Sequence, residues 1–170
     1  HPLSQNAYVG DAVTLSVVGA GGKPLTYQWR KDGVNISKAT SASYRISSAQ
    51  LTHAGSYDVV VTNPVGSVTS NPAVLVIDAI PTPVVTTFMP TRGKTGAKVE
   101  ITGQFFRWAT SVKIGTKTAS FVRTGDDVLV ATVAAGAGSW PVVVTTKGGT
   151  FTTVNPFTVV TGYANDNLAD

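Results

Sequence analysis

The chain has 170 residues, 13% of them charged, with a formal net charge of +4. That charged share is about half the ~25% usual in globular domains. The absence of cysteine excludes disulfides, thiolate metal sites and thiol nucleophiles, and no run of about 18 apolar residues is present to span a membrane.

Val, Thr, Gly, Ser and Ala dominate, which fits many short strands joined by tight turns. No long stretch shows helical apolar spacing. The charge is uneven: residues 1–78 carry net +1, residues 79–160 net +5 and residues 161–170 net −2. A basic second half could meet a polyanion; a modestly charged surface is the simpler reading. No signal-peptide pattern is visible. The chain opens on His1-Pro2-Leu3 rather than Met, and the expectation is a piece of a longer protein.

Tyr8-Val9 reads as an edge strand and Gly10-Asp11 as a turn. From Ala12 to Val18 the chain alternates, with Val13, Leu15 and Val17 on one face and Thr14 and Ser16 on the other. Residues 19–24 form a loop by composition. Leu25, Tyr27 and Trp29 then alternate with Thr26, Gln28 and Arg30, so Trp29 is expected to point inward. Asp32-Gly33 is a turn dipeptide, and Tyr44 and Ile46 mark the next strand. Asn35-Ile36-Ser37 matches a glycosylation sequon, given little weight here.

Ser56 to Thr62 is rich in β-branched and aromatic residues and predicts a strand. Tyr57, Val59 and Val61 share one face. Asn63-Pro64-Val65-Gly66 predicts a turn, and Ser67 to Ile77 a returning strand. Gly55 and Tyr57, with Trp29 upstream, carry a resemblance: residues 7–78 resemble a bacterial intermediate-type immunoglobulin domain. That resemblance implies a β-sandwich in which the Tyr57 hydroxyl can turn back to the preceding corner. It also places Val17 and Val59 where the family's two cysteines stand, packing against Trp29, and His53 where the family has an acid.

Asp78 to Pro83 carries two prolines and predicts a stiff join that fixes domain orientation. Strands are then expected at Val84 to Met89, around Val99 and Ile101, at Val112 to Gly115, at Ala119 to Val122 and at Asp127 to Val133. A hairpin joins Ser139–Thr146 to Thr150–Val160 across Lys147-Gly148-Gly149. Pro90, Gly93, Val99-Glu100-Ile101-Thr102-Gly103, Phe106, Val112-Lys113-Ile114-Gly115 and the valine-rich run after Trp140 make residues 83–160 similar to the IPT/TIG family, itself an immunoglobulin-like sandwich. Pro141 departs from that pattern and implies an edge or a bulge.

The expected fold is therefore all-β: two tandem immunoglobulin-like β-sandwiches, over residues 1–79 and 80–161, with 162–170 a polar tail or linker. Expected core markers are Val17, Trp29, Tyr57, Val59 and Phe106. In the tail, Asn165, Asp166, Asn167 and Asp170 could offer oxygens to calcium, but the spacing lacks an EF-hand's Gly and distal Glu.

Catalysis needs a convergent acid, base or nucleophile. The chain offers one Glu and two histidines, His1 and His53, and His53 in a corner loop reads as structural. Asp126-Asp127 would face opposite sides of a strand. No phosphate-binding glycine loop is present. The expectation is a non-enzyme without cofactor or metal. It would be a monomeric segment of a larger bacterial secreted or cell-surface protein, serving adhesion, protein interaction or spacing. Its partner would be a protein or a glycan at the cell surface. The competing reading is a carbohydrate-binding accessory region built on Trp108, Phe105, Arg107 and Trp140. Nucleic-acid binding is disfavoured, because no Arg/Asn cluster suited to base edges is present. A Lys–Asn isopeptide cross-link would need a Lys, an Asn and an acid buried together.

Overall fold

A computed structural model of the chain describes residues 1–160; the polar tail of the sequence reading lies outside the described residues. The described residues are strands joined by turns and two short 3₁₀ turns. Among them no helix is long and apolar enough to cross a membrane. The chain divides into two units, His1–Ile80 and Pro81 onward.

The first unit contains β1 (Gln5–Tyr8), β2 (Val13–Ser16), β3 (Thr26–Lys31), β4 (Val34–Asn35), β5 (Ser43–Ile46), β6 (Gly55–Asn63), β7 (Gly66–Thr69) and β8 (Ala73–Asp78). One sheet runs β1-β8-β6-β3-β4, with β7 also paired to β6, and a two-stranded sheet β2-β5 forms the other layer. The expected return strand is thus two strands. Pro72 has no N–H to give a ladder, and the break at Ser70–Pro72 is bridged by the Ser70 hydroxyl, which accepts from Val59 N and donates to the Asn71 carbonyl. Asp32 and Gly33 both have positive φ, as a two-residue hairpin turn demands.

Trp29, Tyr57, Val59, Leu15 and Leu75 are fully buried at the centre of this unit. Trp29 Nε1 donates to the Ser41 carbonyl at 2.9 Å. Tyr44 lies between Trp29 and Tyr57, with ring centroids 6.3 Å and 6.0 Å away. One expectation needs correction. Val17 lies past the end of β2 and is only half-buried at the margin of the cluster. Leu15, two residues earlier on the same face, takes the central position.

The motif glycine has a steric reason. A Cβ on Gly55 would stand 2.8 Å from the Asp32 carboxylate, which accepts from Ser56 N at 2.9 Å. The hydrogen bonds from Lys31 Nζ and then from Ser56 N hold the Asp32 carboxyl below the usual carboxylate range.

The second unit contains β9 (Val84–Met89), β10 (Arg92–Gly93), β11 (Lys98–Gln104), β12 (Ala109–Ile114), β13 (Lys117–Arg123), β14 (Val128–Thr132), β15 (Trp140–Thr146) and β16 (Gly149–Val159). Their pairing order is β10-β16-β15-β12-β13-β14-β11-β9. β13 pairs with β12 through Lys117–Ala119 and with β14 through Ser120–Arg123, so it carries the chain from one layer to the other. The core between the layers includes Val99, Ile101, Phe106, Val112, Ile114, Leu129, Val144 and Phe157. Pro141 sits opposite Pro156 at a register shift in the β15–β16 ladder, the bulge its missing N–H implies. Asp126 and Asp127 are in the loop before β14, not in a strand. Their carbonyls accept from Phe106 N and Gly103 N, which ties the start of the Phe106 turn to this loop.

Candidate functional site

The first unit has a cleft of about 520 Å³ at the end where the β2–β3 loop meets the β6–β7 turn. Its apolar walls are Val17, Val18, Leu25, Val61, Val65 and Val68. The cleft follows from the strand lengths. Val68 pairs across the ladder with Val61, so both project to the side of the sheet that carries Tyr57 and Val59. The facing layer has only two strands, and β2 stops at Ser16. The inner face near the β6–β7 turn is therefore left uncovered. Val18, Val65 and Val68 are 93%, 94% and 72% exposed.

The rim is held by its own hydrogen bonds. Asn63 Oδ1 accepts from Val65 N at 2.9 Å and Gly66 N at 3.1 Å, which fixes the turn that carries Val65. A Cβ on Gly19 would stand 2.9 Å from the Tyr27 hydroxyl and 3.0 Å from Leu25, so a larger residue there would push on both side chains. No Lys, Arg, Asp or Glu lines the cleft; its polar lining comes from His1, Thr62, Asn63, Ser67 and Ser70.

The four residues of the carbohydrate reading fall in two places. Phe106–Trp108 form a 3₁₀ turn between β11 and β12, entered through Phe105 at φ 64°. Phe106 is fully buried; Phe105 and Trp108 are half-buried and Arg107 is exposed. The Arg107 guanidinium lies 5.2 Å from the Trp108 ring centre, a cation–π contact, and Arg123 Nη1 donates to the Arg107 carbonyl. Trp140 is 58% exposed and lies elsewhere. β12 and β15 are antiparallel, with Ala109 opposite Thr146 and Ile114 opposite Val142. Trp108 therefore stands at the Thr146 end of β15 and Trp140 at its start, roughly 20 Å away at ~3.4 Å per residue. The structure does not bring the two indoles into one platform.

His53 acts structurally. Its Nδ1 accepts from Gln50 N at 3.0 Å, and its carbonyl accepts from the Tyr57 hydroxyl at 2.7 Å. Every lysine is exposed except Lys31, which is half-buried and bonded to Asp32, so the described residues hold no buried lysine for an isopeptide link. Among them, no group of three or more His, Asp or Glu converges on a metal position. The sequence reading missed the cleft. Its signal was a pair of β-branched residues beside glycine in loops, Val18 before Gly19 and Val65 before Gly66.

Two family models match the two units. Residues 1–63 match the family model described as an immunoglobulin domain, and residues 83–159 the IPT/TIG domain. A curated relative, the decoration protein of Escherichia phage T5, is 46% identical over 61 residues, which are 35% of this chain and 37% of that protein. The chain thus matches a little over a third of that relative's length. Among solved structures, the I-band fragment I67–I69 from titin is 14% identical, with a TM-score of 0.46, over 93% of this chain and 63% of that one. SGBP-B from a xyloglucan utilization locus of Bacteroides uniformis is 18% identical, also at 0.46, over 93% of this chain and 49% of that one. The chain consists of an immunoglobulin-like domain followed by an IPT/TIG domain.

Proposed function

We propose that this tandem is a non-catalytic recognition segment of a larger protein displayed outside a cell or on a particle surface. In this reading it adheres to a protein partner through the open end of its first domain. The observation that carries the reading is the cleft with Val18, Val65 and Val68 on its rim. Apolar side chains clustered at loop tips gain more from a partner than from water. Loop ends of immunoglobulin-type sandwiches are well suited to recognition, since the strands hold them rigidly. The partial identity to a phage decoration protein supports an exposed setting. The bacterial origin, the monomeric state and the join near Ile80 remain part of this proposal.

The test is retention of beads coated with the chain on a panel of bacterial cells. The expected result is retention that falls at least tenfold with Val18→Asp plus Val65→Asp. It should also fall after protease treatment of the cells and survive periodate oxidation of their glycans. Retention unaffected by the double substitution, or abolished by periodate alone, overturns the reading.

A further inference from the structure

The charges of the second unit are segregated along its strands. The acids among its described residues are Glu100, Asp126 and Asp127. Asp126 and Asp127 lie in the loop before β14, beside the Phe106 turn. Glu100 lies inside β11, opposite Met89 and Val130. The other end of the unit, where β15 begins, carries Arg92, Lys94, Lys98 and Lys117, all exposed, and its loops hold no acid. Strand pairing brings these four cations to that end. Arg92 pairs with Thr158 near the close of β16, next to Phe157, which faces Trp140. Lys98 opens β11 opposite Thr132 at the close of β14, and its ammonium donates to Thr132 Oγ1 at 2.7 Å. Lys117 opens β13 opposite Ile114, and Ile114 faces Val142 near the start of β15.

The loops at this end are tied to one another. Gly96 N donates to the Val133 carbonyl and Val133 N to the Ala97 carbonyl, which joins the loop of Lys94 to the loop before β15. Val159 N donates to Ser139 Oγ at 2.9 Å, which ties that loop to β16. A Cβ on Gly115 would stand 2.5 Å from the Gly138 carbonyl oxygen, and one on Gly136 would stand 3.7 Å from Lys117 Cε. The β12–β13 turn and the Lys117 side chain therefore lie against the loop before β15. Trp140 stands beside them, 58% exposed. Gly138 packs against the pyrrole edge of its indole, where a Cβ would come within 3.0 Å of Cδ1 and Nε1.

We propose that this end of the second domain binds an acidic polysaccharide. The exposed indole offers a broad apolar face with a polar edge, which suits the C–H face of a sugar ring. Lys94, Lys117, Arg92 and Lys98 meet the anionic groups of the rings on either side. Anions spaced along a polymer match cations held on separate loops, and no acid in those loops repels them. A single indole provides no row of platforms for successive bases. Three of the four cations are lysines, point charges rather than the planar forks that read base edges. The site is additional to the protein contact of the first domain and does not depend on it.

The test uses the 170-residue chain and two probes, polygalacturonate and the same polymer fully methyl-esterified. Binding is followed by amide chemical shifts and indole fluorescence. The expected result is shifts at Lys94, Lys117 and Trp140 with polygalacturonate and none with the neutral ester. Raising salt from about 0.1 M to about 1 M shortens the screening length from about 10 Å to about 3 Å, and should weaken binding at least tenfold. Lys94→Gln plus Lys117→Gln should lower affinity at least tenfold, and Trp140→Ala at least threefold. Lys23→Gln plus Lys147→Gln removes the same charge elsewhere and should change affinity less than twofold. Asp166 and Asp170 are present in this chain, so the measured affinity already includes any competition from them. The remaining amide spectrum reports whether each variant keeps its fold. Equal losses from the two lysine pairs would reduce the effect to net charge and overturn the proposal. No binding of polygalacturonate, equal binding of the neutral ester, or unchanged affinity in Trp140→Ala also overturns it. So does single-stranded DNA of equal charge bound as tightly with the same losses, since the site then recognises phosphate rather than sugar.

Discussion

The Tyr57 hydroxyl donates to the His53 carbonyl at 2.7 Å, four residues back along the chain. The ring itself is fully buried. This bond closes the corner between the 3₁₀ turn at Leu51–His53 and β6, and Gln50 N bonded to His53 Nδ1 closes it a second time. Replacing Tyr57 by Phe keeps the packing and leaves the carbonyl without its donor. The bond is part-buried, and losing a hydrogen bond of this kind costs about 0.5–1.5 kcal/mol. Urea denaturation of Tyr57→Phe should show that loss with an unchanged m-value; a loss under about 0.5 kcal/mol would mean that water replaces the phenol.

Burial, followed by the nearby Tyr44 and Asp32, pushes the Tyr57 phenol up to about 12 from an ordinary value near 10. The folded state therefore keeps this proton at pH values where the unfolded chain has released it. The stabilisation is complete below pH 10 and is lost as pH rises toward 12. The expected fall is ~2–3 kcal/mol across that window, on top of whatever the lysines contribute. Tyr57→Phe removes this component, so the wild-type and variant stability curves should converge between pH 10 and 12. Parallel curves would show that the phenol titrates alike in both states.

Gly103 ends the regular part of the β11–β9 ladder, where the register shifts. A Cβ there would overlap the Val84 carbonyl oxygen and stand 2.5 Å from Phe106 Cζ. Neither neighbour can yield cheaply: the first is backbone and the second a fully buried ring. Gly103→Ala should destabilise the second domain by about 3 kcal/mol or more, in the range of severe overpacking. The melting transition of Trp140 and Trp108 should drop while that reported by Trp29 stays. A variant as stable as wild type would mean that β9 can peel away from β11 at no cost.

Much of the fold was legible because its signals are local. Period-two alternation marked β3 and β6, Asp32-Gly33 marked the tight turn, and Trp29 with Gly55 and Tyr57 named the sandwich. What escaped depended on where strands stop. Val17 continues the alternation of Val13 and Leu15, yet β2 ends one residue before it. Nothing in the sequence says that the facing layer has only two strands. Ser67 to Ile77 reads as one returning strand, and the backbone cost of Pro72 in a ladder divides it. The cleft follows from the early end of β2 and the two-stranded layer it belongs to. Trp108 and Trp140 were grouped by residue type, whereas antiparallel pairing of β12 with β15 puts them at opposite ends.

That separation makes the carbohydrate reading testable on its own terms. Sugar rings stack on exposed aromatic faces, and two indoles roughly 20 Å apart cannot sandwich one short glycan. A short oligosaccharide that stacks on an indole of this chain therefore uses one of them, not both. On a glycan array, Trp108→Ala or Trp140→Ala should abolish a given signal, never each of them the same one. If Trp108 is the platform, its face must first be cleared of Arg107, whose guanidinium sits 5.2 Å from the ring centre. An exposed contact of this kind contributes roughly 0.5–1 kcal/mol, so Arg107→Ala should tighten stacking about two- to fivefold. Weaker binding in Arg107→Ala would instead make the guanidinium a sugar ligand. A signal that survives both tryptophan substitutions would place the glycan on neither indole and direct attention to the cleft of the first domain.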